Sequence, residues 1–296
     1  MNTSTLHASS RREAAPLAGV DAPLAYLTEG AIDAQYTVWP PSSGREPEGP
    51  PKTYYPCHIA DCREIADSLD LQRDGFVFRQ QVSPFRDFFD DAKVKAIYYG
   101  EMEAYLKALT GAAEVFIFDH NVRSVGRAAR GEAGVRAPVD MAHGDYTAAS
   151  GLRRGGEIMA QRGYQGPAPK RTMLVNVWRP LHGPVVDLPL ALCHALSVAP
   201  EDLVPTPIRH YMEDELTAPR LSGEIFSLLH NPSHRWYYAS AMQADEVLVF
   251  KGFDSDESSA TRFTPHTGFR HPHQPAQFQP RESIEVRALV IDPRAG

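Results

Sequence analysis

Residues 283–291 read SIEVRALVI, with Ser283, Glu285 and Arg287 alternating against Ile284, Val286 and Ala288. A period of two sends successive side chains to opposite faces, so this segment is a strand with one polar and one apolar face. Three further runs are short and rich in branched or aromatic residues: EVFIFDH at 114–120, TMLVNVW at 172–178 and DEVLVFK at 245–251. Such side chains pack well on a pleated surface, and these runs are read as strands too. The strands are widely separated and show no regular alternation with helices, which argues against a doubly wound parallel sheet. The expected fold is mainly β with helices, an antiparallel sandwich or jelly roll.

Outside these strands, residues 83–112 (SPFRDFFDDAKVKAIYYGEMEAYLKALTGA) open on Ser-Pro, repeat apolar residues at helical intervals and close at Gly111. They predict one long amphipathic helix. DLPLALCHALSV at 187–198 and EDELTAPRLSGEIFSLLH at 213–230 carry helix signals in a stretch too long for a loop, so a helical insertion is expected there. Upstream, WPPSSGREPEGPPK at 39–52 is dense in Pro, Gly and Ser. Residues 1–52 are therefore expected to be an N-terminal arm or linker, and 53–296 the compact domain. The first fifteen residues are poor in acid until Glu13 and are read as a frayed terminus in preference to a transit peptide.

With 296 residues, 43% apolar and 23% charged, the chain has the make-up of a globular protein. Its formal charge of -7 speaks against a nucleic-acid partner, which needs a clustered basic surface. No apolar run approaches the ~18 residues of a membrane span. The cysteines, Cys57, Cys62 and Cys193, show no CxxC spacing, which favours a reducing cytoplasm over a disulfide framework or zinc ribbon. Cys193, inside an apolar helical pattern, is read as packing.

Among the twelve histidines only His143 is followed two places later by a carboxylate, in His143-Gly144-Asp145. On a strand that spacing points both side chains to one face, where they can take adjacent positions on an octahedral metal. A distant histidine would complete the facial triad of a non-haem Fe(II) oxygenase. Chance alone supplies about one or two such pairs in a chain of this composition, so the pair needs support from elsewhere. His266, in FTPHTGF, is followed fifteen residues on by Arg281-Glu282-Ser283 at the start of the last strand. A guanidinium and a hydroxyl on one face make a bidentate receptor for the far carboxylate of a 2-oxo diacid.

In this order the runs HGDYTAASG, NVWRPLHGPVVDLPLALC, HRWYYASAMQADEVLVFKGFDS, PHTGF and RESIEVRALV resemble the iron(II)/2-oxoglutarate-dependent oxygenases. Within them, the cephamycin 7-alpha-methoxylase-related group of secondary metabolism is the nearest likeness, over about residues 114–291. The resemblance implies a double-stranded β-helix, iron held by His143, Asp145 and His266, and 2-oxoglutarate held by Arg281 and Ser283. It implies that 2-oxoglutarate and O2 are consumed together, giving succinate, CO2 and a ferryl species. That species hydroxylates, or else desaturates or cyclises, a small secondary metabolite. Self-association or a partner enzyme is left open. Where this chain reads CHALSV at 193–198, the group more often has a CDARSV-like run, with Asp in place of His194.

Several rival readings stand beside these. His194 follows Asp145 at a spacing common in compact oxygenases, but no Arg-x-Ser strand follows it, and His266 is preferred. Arg287 shares the face of Arg281 and is a second candidate anchor, although an ion pair with Glu285 is preferred. Asn176 is placed near 2-oxoglutarate or the pocket, with Trp178 in the core and Arg179 on the opposite face. Tyr146 and Thr147, next to the metal strand, are read equally as reaching substrate or as hydroxyls satisfied by the backbone. His271 and His273 are read as a solvated loop, and Trp236, Tyr237 and Tyr238 as core or pocket rim. Two other functions remain: a cupin-like metalloenzyme acting without 2-oxoglutarate, and a non-catalytic accessory or binding barrel.

Overall fold

The structure is a computed structural model that describes residues 17–40 and 43–294, excluding the side chain of Leu221. The N-terminal fifteen residues read as frayed lie outside the described residues. In chain order the strands are β1 (Gly19–Leu27), β2 (Tyr36–Val38), β3 (Lys52–Asp61), β4 (Phe76–Gln80), β5 (Glu114–Ser124), β6 (Val135–Arg136), β7 (His143–Gly144), β8 (Thr172–Pro180), β9 (Leu190–Cys193), β10 (Leu203–Met212), β11 (Glu215–Leu228), β12 (Trp236–Tyr238), β13 (Glu246–Asp254), β14 (His266–Gly268) and β15 (Glu282–Ile291). They form a nine-stranded sheet in the order β1-β3-β12-β9-β14-β7-β11-β10-β2 and a six-stranded sheet in the order β4-β13-β8-β15-β5-β6. Pairing between strands is antiparallel except at β2–β10, β3–β12 and β5–β6. The expected mainly β jelly roll is the fold.

The strand that decided the reading, β15, lies inside the six-stranded sheet between β5 and β8. Its apolar face, with Val286, Ala288 and Val290, packs with Met102 and Leu106 of the helix Tyr99–Thr110. That helix excludes water from the outer side of the sheet and forces the other face of β15 inward. Ser283 and Glu285 are consequently buried, at 1% and 6% exposure. Leaving a buried polar group unpaired costs about 1–3 kcal/mol, so a polar face turned into a core marks a site.

The helix expected at 83–112 begins later, at Asp91, where the Asp90 side chain accepts from the Lys93 amide. It passes through a wider π-type turn at Val94–Tyr98 and ends, as expected, at Gly111 with φ 62°. The Ser83 hydroxyl instead donates to Glu101 and accepts from the Phe85 amide, and 83–90 form a non-helical lead-in with a turn closed by the Asp90 amide on the Asp87 carbonyl.

The expected helical insertion is corrected: residues 187–230 contain β9, β10 and β11, with single 3-10 turns at Ala195–Ser197 and Pro200–Asp202. All four residues of β9 are buried, and a run buried on both faces has no period that separates strand from helix. Pro205, Pro207 and Pro219 cannot sit in helix interiors, whereas β10 tolerates its prolines on the flank that the short β2, paired only with Ile208–His210, leaves uncovered. Gly19–Leu27, within the expected arm, runs antiparallel to β3 and so belongs to the sheet.

Candidate metal centre

His143 on β7 and His266 on β14 are direct register partners in the nine-stranded sheet. Their rings lie 4.4 Å apart, tilted by 52°. His143 Nδ1 is 2.8 Å from the Met141 carbonyl and His266 Nδ1 is 3.2 Å from the Thr264 carbonyl. A carbonyl only accepts, so each Nδ1 carries the proton and each Nε2 presents its lone pair. Burial favours these neutral rings: it pushes the His143 pKa down to about 4 and lowers that of His266. Asp145 follows β7 directly, its Oδ1 3.8 Å from His143 Nε2 and 4.0 Å from His266 Nε2. One ligand atom from each of the three residues lies within 4.8 Å of the others.

Asp145 is held in turn. Asn176, on β8, donates from Nδ2 to Asp145 Oδ2 at 2.5 Å. Arg287, on β15, brings Nη2 to 3.7 Å from Asp145 Oδ1, 3.1 Å from Glu285, and Nη1 to 3.4 Å from Asp119. Burial works to raise the Asp145 pKa, but Arg287, the two histidines and Asn176 hold it below the usual carboxylate range. The ion pair expected between Arg287 and Glu285 is present, and Arg287 additionally braces the carboxylate between the histidines.

Arg281 immediately precedes β15 and is 2% exposed. Its guanidinium lies 5.5 Å from the Trp178 ring and donates from Nη1 to the Leu188 carbonyl at 2.6 Å. Burial lowers its pKa to about 10, still fully protonated near neutrality. Beside it, Gly268 lets the Val139 backbone approach, since a Cβ there would lie 2.9 Å from the Val139 carbonyl oxygen. Among the described residues, Arg281 Nε, Ser283 Oγ, Arg287 Nε, Asn176 Oδ1 and Asn121 Nδ2 are buried without a partner. A cleft joins Arg281 and Trp178 to His143 and His266. Orphan donors at one end of a cleft and two imidazole lone pairs at the other fit a 2-oxo diacid chelating a divalent iron.

The remaining expected positions resolve as follows. His194 lies after β9 and pairs with Asp74 at 3.2 Å and Arg235 at 3.2 Å, apart from the triad. Cys193 belongs to a strand, not a helix, and burial pushes its thiol up to about 12, which suits packing. Thr147 caps the helix Ala148–Gln161 and donates to Glu224, so its hydroxyl is satisfied. Gly151 lets that helix approach β13, where a Cβ would overlap the Phe253 ring. Trp236 is core, donating to Tyr26 Oη at 2.7 Å. Arg179 points away from Asn176 and donates to the Gln81 carbonyl. Tyr146 lines a cavity of about 660 Å³ that opens on His143 and Asp145. Arg123 also reaches this site and was missed by the sequence reading, which ended β5 at His120. The alternation Asp119, Asn121, Arg123 was the available signal.

Comparison with known proteins decides the family. A family model described as "YDMC: Oxidoreductase/YMDC permease-like domain" matches residues 24–291. The Fe(II)/2-oxoglutarate-dependent dioxygenase nvfI of Aspergillus novofumigatus is 33% identical over 240 residues, 79% of this chain and 82% of that one. The chain belongs to the Fe(II)/2-oxoglutarate-dependent dioxygenases. This dioxygenase is also 31% identical to the hydroxylase/desaturase efuI of Hormonema carpetanum, over 80% of its own length and 83% of the relative's. The solved structure of the iron and alpha-ketoglutarate-dependent endoperoxidase NvfI superposes with a TM-score of 0.77 at 29% identity, covering 93% of this chain and 98% of that one. Among the described residues of the dioxygenase, no helix is long and apolar enough to cross a membrane.

Proposed function

We propose that His143, Asp145 and His266 hold Fe(II) on one face, and that Arg281 and Ser283 take the far carboxylate of 2-oxoglutarate. The observation that carries this reading is the set of two neutral imidazole Nε2 atoms and one carboxylate within 4.8 Å, with both Nδ1 atoms tied to backbone carbonyls and Asp145 Oδ2 tied to Asn176. Iron, 2-oxoglutarate and O2 together supply the oxidising equivalent and leave succinate and CO2.

The chain's own part is positional. Both Nδ1–H donors fix the imidazole planes, Asn176 and Arg287 keep Asp145 ionised, and Arg281 sets the direction from which the diacid enters. The cavity of about 660 Å³ beside His143 and Asp145 would hold the substrate next to the iron these residues would bind, and is in the size range of small-molecule sites. A small secondary metabolite is the substrate class and hydroxylation the reaction, with desaturation or ring formation the alternatives that substrate geometry selects. One chain supplies all the named groups. Three unpaired cysteines suit a reducing cytoplasm.

The test is O2-dependent conversion of 2-oxoglutarate to succinate by the iron-loaded protein. Succinate from the wild type and none from Asp145→Ala of unchanged circular dichroism supports the reading. A wild type that binds iron but forms no succinate favours a metalloenzyme acting without 2-oxoglutarate; one that binds no iron favours an accessory barrel.

A further inference from the structure

The cavity beside the metal centre carries an unbalanced charge. Three carboxylates on its wall are already engaged: Asp119 and Asp145 with Arg287, and Glu157 with Arg153 and Arg154. Glu224 accepts from the Thr147 hydroxyl. Arg123 and Arg136 also line the cavity. Glu285 and Asp145 act on Arg123 through space and offset part of its charge, but no carboxylate of the described residues lies within ion-pair distance of either arginine. Arg123 donates to the Ala137 carbonyl at 2.6 Å. These two arginines are direct register partners on β5 and β6. Like charges side by side on neighbouring strands destabilise a sheet, and the pair sits in a chain whose net charge is -7. An anion between the two guanidinium groups would relieve that repulsion.

We propose that this pair receives an acidic group of the substrate: the dioxygenase takes a small organic acid, with its carboxylate on Arg123 and Arg136. The less polar remainder lies along Tyr36, Tyr146, Ile208 and Ile225, which line the same cavity. The inference deepens the function proposed above and rests on it, because it is the opening toward His143 and Asp145 that makes the cavity a substrate site. Arg136 separates the two anions of the reaction. Arg123 lines both the cleft toward Arg281 and the larger cavity, whereas Arg136 lines only the latter.

The experiment uses two probes of one ring system, anionic 8-anilinonaphthalene-1-sulfonate and neutral N-phenyl-1-naphthylamine. Both are titrated by fluorescence into the protein loaded anaerobically with Fe(II) and 2-oxoglutarate. The expected result is tighter binding of the sulfonate, weakened about tenfold or more by Arg136→Gln, restored in Arg136→Lys, with the neutral probe unaffected. Equal affinity for the two probes, no binding of the sulfonate, or an equal loss for both overturns the proposal. The visible charge-transfer band of chelated 2-oxoglutarate is recorded in the same samples. If it forms equally in all variants while the probes do not discriminate, the substrate inference fails and the oxygenase reading stands. If Arg136→Gln weakens the band instead, the pair serves 2-oxoglutarate and the proposal is overturned. A wild type that lacks the band but retains the discrimination leaves an anion site without the oxygenase reading.

Discussion

His143 and His266 are cross-strand partners: β7 and β14 place them opposite each other although more than a hundred residues part them in the chain. The placing of the two imidazoles against each other is therefore set by sheet register, and a one-residue slip of either short strand would turn its imidazole to the other face. Asp145 closes the set from the residue just after β7. Asp145→Ala is expected to abolish stoichiometric iron binding while the fold survives, since the carboxylate is replaced by a smaller group at a polar site. Metal analysis after anaerobic Fe(II) reconstitution checks this; one equivalent of iron in the variant would mean the ligand set is wrong.

Asn176 acts through Asp145. Removing its Nδ2 leaves Asp145 Oδ2 without its 2.5 Å donor. Changes to groups that orient a metal ligand cost about 10–100-fold in affinity, and Asn176→Ala is expected to weaken Fe(II) by that order without eliminating it. An unchanged iron affinity would reduce Asn176 to packing.

For His194 the expectation is the reverse. His194→Gln should keep full iron occupancy, because its partners are Asp74 and Arg235. His194→Asp, which restores the commoner residue of the methoxylase-related group, should also keep iron but lower the Tm, since it sets a carboxylate beside Asp74. Loss of iron in His194→Gln would move the distal ligand to that position.

Acid should destabilise the metal-free protein before its carboxylates titrate. Burial lowers the pKa of His120, His143, His194, His230, His234, His266 and His271. A histidine kept neutral when folded but free to protonate when unfolded contributes stability that is present above its unfolded pKa of about 6.5 and lost as pH falls below it. The Tm of metal-free protein should be level above pH 7 and decline steadily from there to about pH 5. A flat or rising Tm over that interval would contradict the neutral assignment.

The four strands read from the sequence, at 114–120, 172–178, 245–251 and 283–291, all belong to the six-stranded sheet as β5, β8, β13 and β15. Long strands with one uniformly apolar face declare themselves. The opposing sheet was hidden for a physical reason: β7, β12 and β14 have two or three residues, β9 is buried throughout, and β10 carries prolines. None of these displays a period. The His143–Asp145 pair and the proposed Arg281–Ser283 pair stand out in the sequence because each is local, whereas the bracing of Asp145 by Asn176 and Arg287 depends on contacts between sheets that no spacing encodes.

The proposed iron and 2-oxoglutarate site is tested most directly by anaerobic titration of the Fe(II) protein with 2-oxoglutarate, following the visible metal-to-ligand charge-transfer band. The expected result is a band that saturates at one equivalent, is lost in His266→Ala, and in Arg281→Leu needs far more 2-oxoglutarate while iron stays bound. The shift should correspond to the roughly 2–5 kcal/mol lost when one partner of a buried charge pair is truncated. Iron binding without any band in the wild type, or an unchanged titration in Arg281→Leu, would contradict it.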